Sequence, residues 1–450
     1  MRTRARCRVA ILAALLLAPL PSVDAHAASK PRAVLILPYA TFDLTREEQW
    51  LGEGTAQSLM LSLAQAPGLV EIPRERLRQI AQPEAWDDQT AAAAARALGA
   101  DVALYGEVRR AGAELTILPR LVEIKGDRAE RVTLDPVTVA DGALMERLRT
   151  IPTAYVRAFR IQLTDSEAAR IVKWASPTAS SRAFELYVRG RLAAYRGGQE
   201  ANEAAIEHLG KAIEADPQFV AAQYALGAVH QALGNRWKAA AQFRASTQLD
   251  PTYPEPYKAL GDLFRTAPRR LFDQAIEAYN KALEIRPFYA EAYVGLGDAR
   301  AAKGEIDQAV AAYQKALTYN PVNAGVHVSL GKLYYSEKGL YYESVQAYKK
   351  AIEIDPGYLD ARMGLAEVYE DKGLYKEAIA EYTRVVEADS KNTGALYNLA
   401  LVYEKVDPRE AVSLWERYIQ LAGNLPSEKD WVDVAKLHLR KLKNQLEKSN

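Results

Sequence analysis

The chain has 450 residues, with 58 Lys and Arg against 57 Asp and Glu, and a formal net charge of +1. That balance lacks the basic footprint of a nucleic-acid binder, and the length exceeds one ordinary core, so two or more domains are expected. The single cysteine, Cys7, excludes a disulfide framework and a thiolate metal site.

Arg2, Arg4, Arg6 and Arg8 precede an apolar stretch from Val9 to Leu20, and Ala25-His26-Ala27 has the small-x-small pattern of a signal-peptidase site. The apolar core is about twelve residues, against roughly 20 for a membrane-crossing helix. Residues 1–27 therefore read as a cleaved signal peptide, and the remainder as periplasmic or secreted. Cys7 lies before the apolar core, where it cannot serve as a lipid-anchor cysteine. No later segment is apolar enough to span a membrane.

Residues 30–165 read as an α/β domain. Ala33 to Pro38 is a buried strand, and Thr45 and Glu48 have capping-box spacing before a helix through Leu63. A second strand follows near Gly68 to Ile72, then a helix around Ala91 to Leu98. Three strand-like runs come next, Asp101 to Val108, Glu114 to Glu123 and Arg131 to Val139, with Gly112 and Gly126 in the turns. The order AVLILPY, WLGEGTAQSLMLSL, LGADVALYGEVRR resembles the amino-terminal domain of the TolB family. The match falls on Leu37-Pro38, Gly54, Leu59, Leu63 and Gly106, so the resemblance implies a fold and no catalytic residue, and TolB's β-propeller is absent. The loop after the first strand lacks the glycines and the Gly-Lys-Ser/Thr of a phosphate-binding loop.

A stretch of small residues, WASPTASSR, reads as part of a linker over 166–182. Beyond it, Pro217, Pro251, Pro287, Pro321 and Pro356 end successive helices, 34 to 36 residues apart, and Ser390 takes the next place. Each unit has a Leu-Gly or Leu-Ala pair in its first helix. In its second helix an alanine or serine is followed one turn later by an aromatic, as in Ala275 and Tyr279. Residues 183–425 thus resemble about seven tetratricopeptide repeats. The resemblance implies an all-α right-handed superhelix, an α-solenoid, behind the α/β domain. Residues 426–450 read as a capping helix with Val432, Ala435, Leu439, Leu442 and Leu446 on its apolar stripe.

In such a stack the first helix of each pair lines a concave groove. By family position the groove residues are Tyr187, Tyr224, Lys258, Asp262, Arg265, Glu291 and Asp298, then Lys332, Tyr335, Glu367, Glu370, Asp371 and Tyr397. The tyrosines are candidate anchors, and the acidic end favours a protein or peptide partner of basic or mixed charge. Lys258 is followed by Asp262 where a lysine-asparagine clamp for an acidic chain terminus needs asparagine, so no such terminus is expected to bind. His208, His230, His327 and His438 are scattered singly, without metal-ligand spacing. No catalytic motif is present. The expectation is a non-enzymatic envelope scaffold with no cofactor and no bound nucleic acid, able to join an envelope complex. The alternative, by fold analogy, is a regulator of a cell-wall synthetic enzyme acting through the α/β domain.

Overall fold

The structure, a computed structural model, describes residues 31–112, 114–140 and 142–449. The expected signal peptide and Cys7 lie outside the described residues. Among those described, no helix is long and apolar enough to cross a membrane.

Seven strands form one mixed sheet: β1 Arg32–Ile36, β2 Ala40–Phe42, β3 Leu69–Glu71, β4 Val102–Ala111, β5 Glu114–Lys125, β6 Arg128–Thr133 and β7 Val137–Val139, in the order β3-β1-β4-β5-β6. β1 runs parallel to β3 and β4, and β5 is antiparallel to β4, β6 and β7. The run expected as one strand from Arg131 to Val139 is two. Thr133 pairs with Arg120 and Val137 with Ile117, so Leu134, Asp135 and Pro136 oppose only Leu118 and Pro119. Two prolines in this mismatch remove ladder donors and break the strand.

The first helix, α1 (Trp50–Leu63), starts later than Thr45. Thr45 and Glu48 do pair, with backbone and hydroxyl both donating to Glu48 Oε2 at 3.0 Å, but they close a turn that precedes the helix. α2 (Asp88–Leu98) begins at a capping box of Asp87 and Thr90 and stops at Gly99 in the left-handed region. α2 covers one face of the sheet, where Ala91, Ala95 and Leu98 meet Leu35 and Tyr105. α1 covers the other, joined by α3 (Leu144–Leu148) and α4 (Thr150–Phe159).

The expected linker is not a spacer. Residues 165–175 form α5 (Asp165–Ala175), capped by Thr164 and Glu167, and its Ile171 and Trp174 are buried. Trp174 stacks on Tyr253 at 4.1 Å, and the Thr178 hydroxyl binds Asp216. The small residues here allow close packing, and one apolar core runs unbroken from Val34 to Tyr253.

Seven antiparallel helix pairs follow: α6 (Ser181–Arg196) with α7 (Gln199–Ala215), α8 (Val220–Ala232) with α9 (Arg236–Leu249), α10 (Pro254–Arg265) with α11 (Phe272–Ile285), α12 (Ala290–Lys303) with α13 (Ile306–Tyr319), α14 (Ala324–Ser336) with α15 (Tyr341–Ile354), α16 (Leu359–Asp371) with α17 (Tyr375–Ala388), and α18 (Thr393–Val406) with α19 (Pro408–Ala422). The small-large pattern has a steric cause. A Cβ on Gly227, Gly261, Gly297 or Gly331 would come within 3 Å of the ring of Phe243, Tyr279, Tyr313 or Tyr348 in the partner helix. The turn of the last pair is short: Asp407 alone joins its helices, accepting from the backbone of Arg409 and Glu410, with Pro408 in the first turn. A final helix, α20 (Lys429–Ser449), lays Val432, Ala435 and Leu442 on the last pair.

Candidate protein-binding groove

Successive first helices touch one another, as α8 does α10 and α14 does α16, which puts them on the inner side of the stack. The α/β domain occupies the amino-terminal part of that inner side. Trp50 of α1 meets Phe184 of α6 edge-on at 6.1 Å, and a Cβ on Gly54 would stand 2.8 Å from the Trp50 ring. Ser58 donates to the carbonyl of Ala175 at 2.5 Å, and Gln57 to the Tyr195 hydroxyl at 3.4 Å. Beneath this helix Tyr187 is 3% exposed, packed on Phe184 and Phe219. Tyr224 is half-buried between Phe243 and Tyr253, its hydroxyl pushed up to about 12 chiefly by burial. These two tyrosines, expected as open anchors, are instead packed among the aromatics of the first repeats and face Gln57 and Met60 of the first domain across a small cavity.

Glu291 remains exposed but looks onto the β3 edge of that domain. There burial pushes the Glu71 carboxyl up to about 8, with Arg191 opposing and Glu291 adding to the shift. Glu255, absent from the sequence expectation, closes the same boundary with Arg286 at 2.8 Å. The available signal was its spacing of 36 from Glu291, the same repeat position.

The middle charges are engaged with each other. Lys258 pairs with Asp262 at 2.7 Å, and Arg265 approaches Asp298 at 3.7 Å. Asp262 also accepts from the Tyr279 hydroxyl and Asp298 from that of Tyr313, both at 2.7 Å. Further along, Glu370 takes the Tyr382 hydroxyl at 3.3 Å, and Glu404 takes the Trp415 indole N–H at 2.7 Å. An inner carboxylate therefore satisfies the polar tip of the buried aromatic of its own pair, a structural task the sequence pattern did not disclose.

At the carboxyl-terminal end Tyr397 is caged by Trp415 at 4.9 Å, Tyr418 at 5.3 Å and Trp431 of α20 at 5.4 Å. What stays accessible is a patch on α14 and α16: exposed Lys332, Glu367 and Asp371 with half-buried Tyr335 and Glu370. Tyr335 meets Tyr341 edge-on at 5.7 Å, while Lys405 joins Glu370 at 3.1 Å. The crowding of the groove wall, then the charge of Glu370, raises the Glu367 carboxyl, with Lys332 opposing. Among the described residues no group of three or more His, Cys, Asp or Glu is placed to hold a metal ion. His438 instead bonds Glu404 through Nδ1 at 2.8 Å.

A family model described as TPR repeat matches residues 199–234, 272–304 and 297–337, and one described as tetratricopeptide repeat matches 335–401. No curated protein matches the chain. Among solved structures, MamA is 30% identical over 37% of this chain and 95% of its own, with a TM-score of 0.34. YrrB, described as a TPR protein with an unusual peptide-binding site, is 22% identical over 45% of this chain and all of its own, at 0.37. The pilF protein of Pseudomonas aeruginosa is 18% identical over 50% and 97%, at 0.42. Tetratricopeptide repeats are protein-interaction scaffolds.

Proposed function

We propose that this tetratricopeptide-repeat protein is an exported, non-enzymatic scaffold of the bacterial cell envelope that holds a protein segment against the inner faces of α14 and α16. The observation that carries the reading is the accessible patch itself: Tyr335 flanked by Lys332, Glu367, Glu370 and Asp371, on an inner surface whose amino-terminal part meets the α/β domain, whose middle charges pair with each other and whose carboxyl-terminal Tyr397 is caged. Three carboxylates around one half-buried ring favour a basic or mixed-charge segment that sets an apolar or aromatic side chain on Tyr335. Lys258 is held by Asp262, which argues against capture of an acidic chain terminus. The basic, apolar and small-residue succession at the amino terminus, and the likeness of the α/β domain to that of TolB, support the envelope setting.

The test is capture by the full chain from envelope extracts, repeated with Tyr335→Ala/Glu367→Gln and with Lys350→Ala on a second helix. The reading requires a partner retained by the parent and by Lys350→Ala, and lost by the double variant. Recovery of acidic carboxyl-terminal tails alone, or of the same partner by the double variant, would defeat it.

A further inference from the structure

From Pro217 to Leu249, across the whole of α8 and α9, the chain contains no Asp or Glu, whereas each following repeat contains several. The turn between these helices is exposed at Leu233, and the first turn of α9 carries Arg236, Trp237 and Lys238. Trp237 is 89% exposed and Leu233 38%. At the same repeat position other pairs place Asp273, Asp307, Lys376 and Arg409, and one an exposed Tyr342, so the packing of the pair does not require an indole there.

Arg236 donates to Thr266 Oγ1 at 3.1 Å and to the carbonyl of Leu263, which holds the next turn, with exposed Arg269 and Arg270, beside the start of α9. The nearest carboxylates along the chain are engaged elsewhere: Asp250 by Lys173, Asp262 by Lys258 and Asp273 by Lys303. Lys238, Arg269 and Arg270 are therefore left without an ion-pair partner among the described residues. The result is one edge of the stack with three unpaired cations around a projecting tryptophan and a leucine.

We propose that this edge, formed by Leu233, Trp237, Lys238, Arg269 and Arg270, docks the protein on an anionic lipid surface. Trp237 stands clear of any wall that would shape a peptide site, so its partner must yield around it. A headgroup layer does so, and it is where an indole, with an apolar body and one donor, is best accommodated. The cations supply attraction to anionic headgroups, within about 10 Å at ordinary salt. This surface is separate from the patch at Tyr335, and the two can be tested independently.

The experiment is co-sedimentation of the full chain with vesicles of phosphatidylcholine alone and of phosphatidylcholine mixed with phosphatidylglycerol, at low and high salt. Binding is expected only to the mixed vesicles, weakening with salt. Each of Lys238→Gln, Arg269→Gln and Arg270→Gln should lower partitioning about fivefold. Trp237→Ala should lower it as well, with melting temperatures unchanged because the side chains are exposed. Equal binding to neutral vesicles, indifference to these substitutions, or capture of polyglutamate by the same residues without vesicle binding would overturn the proposal. The last result would assign the edge to an acidic protein partner.

Discussion

The guanidinium of Arg286, just past the end of α11, donates through Nη1 to the carbonyl of Ala64, the residue following α1, at 3.0 Å, and to Glu255 at 2.8 Å. Its side chain is 5% exposed and its plane lies over the Tyr289 ring, 3.6 Å from the centroid. It therefore ties the α/β domain to the third repeat from inside the boundary. Arg286→Ala would leave the largely buried Glu255 carboxylate without its cation, held only by Gln65 Nε2 at 3.5 Å, at a cost of up to about 3–5 kcal/mol. Adding Glu255→Ala should return part of that loss. Urea unfolding measures both, and a single-variant loss below about 1 kcal/mol would mean that the pair is solvated.

Because one apolar core extends from Val34 through Phe184 and Tyr187 to Tyr253, the α/β domain and the first repeats should unfold together. Residues 31–450 are expected to show coincident loss of sheet and helix signals. An array cut at residue 180 would lose α1, whose Trp50 meets Phe184, and α5, whose Trp174 stacks on Tyr253. It should aggregate or melt well below the longer chain. An array that melted at the same temperature would show that the boundary adds nothing.

The helix pairs were legible because their signals are local: a proline after most second helices, a glycine or alanine in the first, an aromatic one turn beyond an alanine or serine. Placement of the α/β domain was not. α1 has small or polar residues all round, Gly52, Gly54, Ser58 and Ser62 among them, and is buried nearly throughout. That composition signals packing on two sides but does not say which surfaces meet. Tyr335 lies four residues after Gly331 and Tyr397 three before Ala400, both on first helices. Trp415 and Tyr418 of its own pair and Trp431 arriving from α20 cage Tyr397, an arrangement no local signal announces.

The steric reading of the repeat glycines gives opposite signs at two sites. A Cβ on Gly295 would stand 2.4 Å from the Tyr279 ring, whereas one on Gly210, inside α7, meets nothing within 4 Å. Gly295→Ala should cost about 1–3 kcal/mol through overpacking, while Gly210→Ala should add roughly 0.5–1 kcal/mol by removing backbone freedom from the unfolded chain. Denaturant midpoints of the two variants decide it. Equal shifts would refute close packing as the reason for the first glycine.

Glu71 provides a pH test of the domain boundary. Burial at the β3 edge lifts its carboxyl from 4.5 to about 8, against the pull of Arg191. Below the ordinary value both folded and unfolded chains hold this proton. Between the two values the folded chain retains it while the unfolded chain releases it, so each rise in pH favours unfolding. The stability associated with protonated Glu71 is therefore present below 4.5 and lost as pH rises to about 8. Glu71→Gln keeps the shape and removes the titration. It should match the parent near the acid end and melt at a higher temperature near pH 8, with a flatter dependence between. Melting curves of both chains across that window are the check. If the parent and Glu71→Gln have parallel pH profiles, the carboxyl is ionised in the folded chain, and Arg191 outweighs burial there.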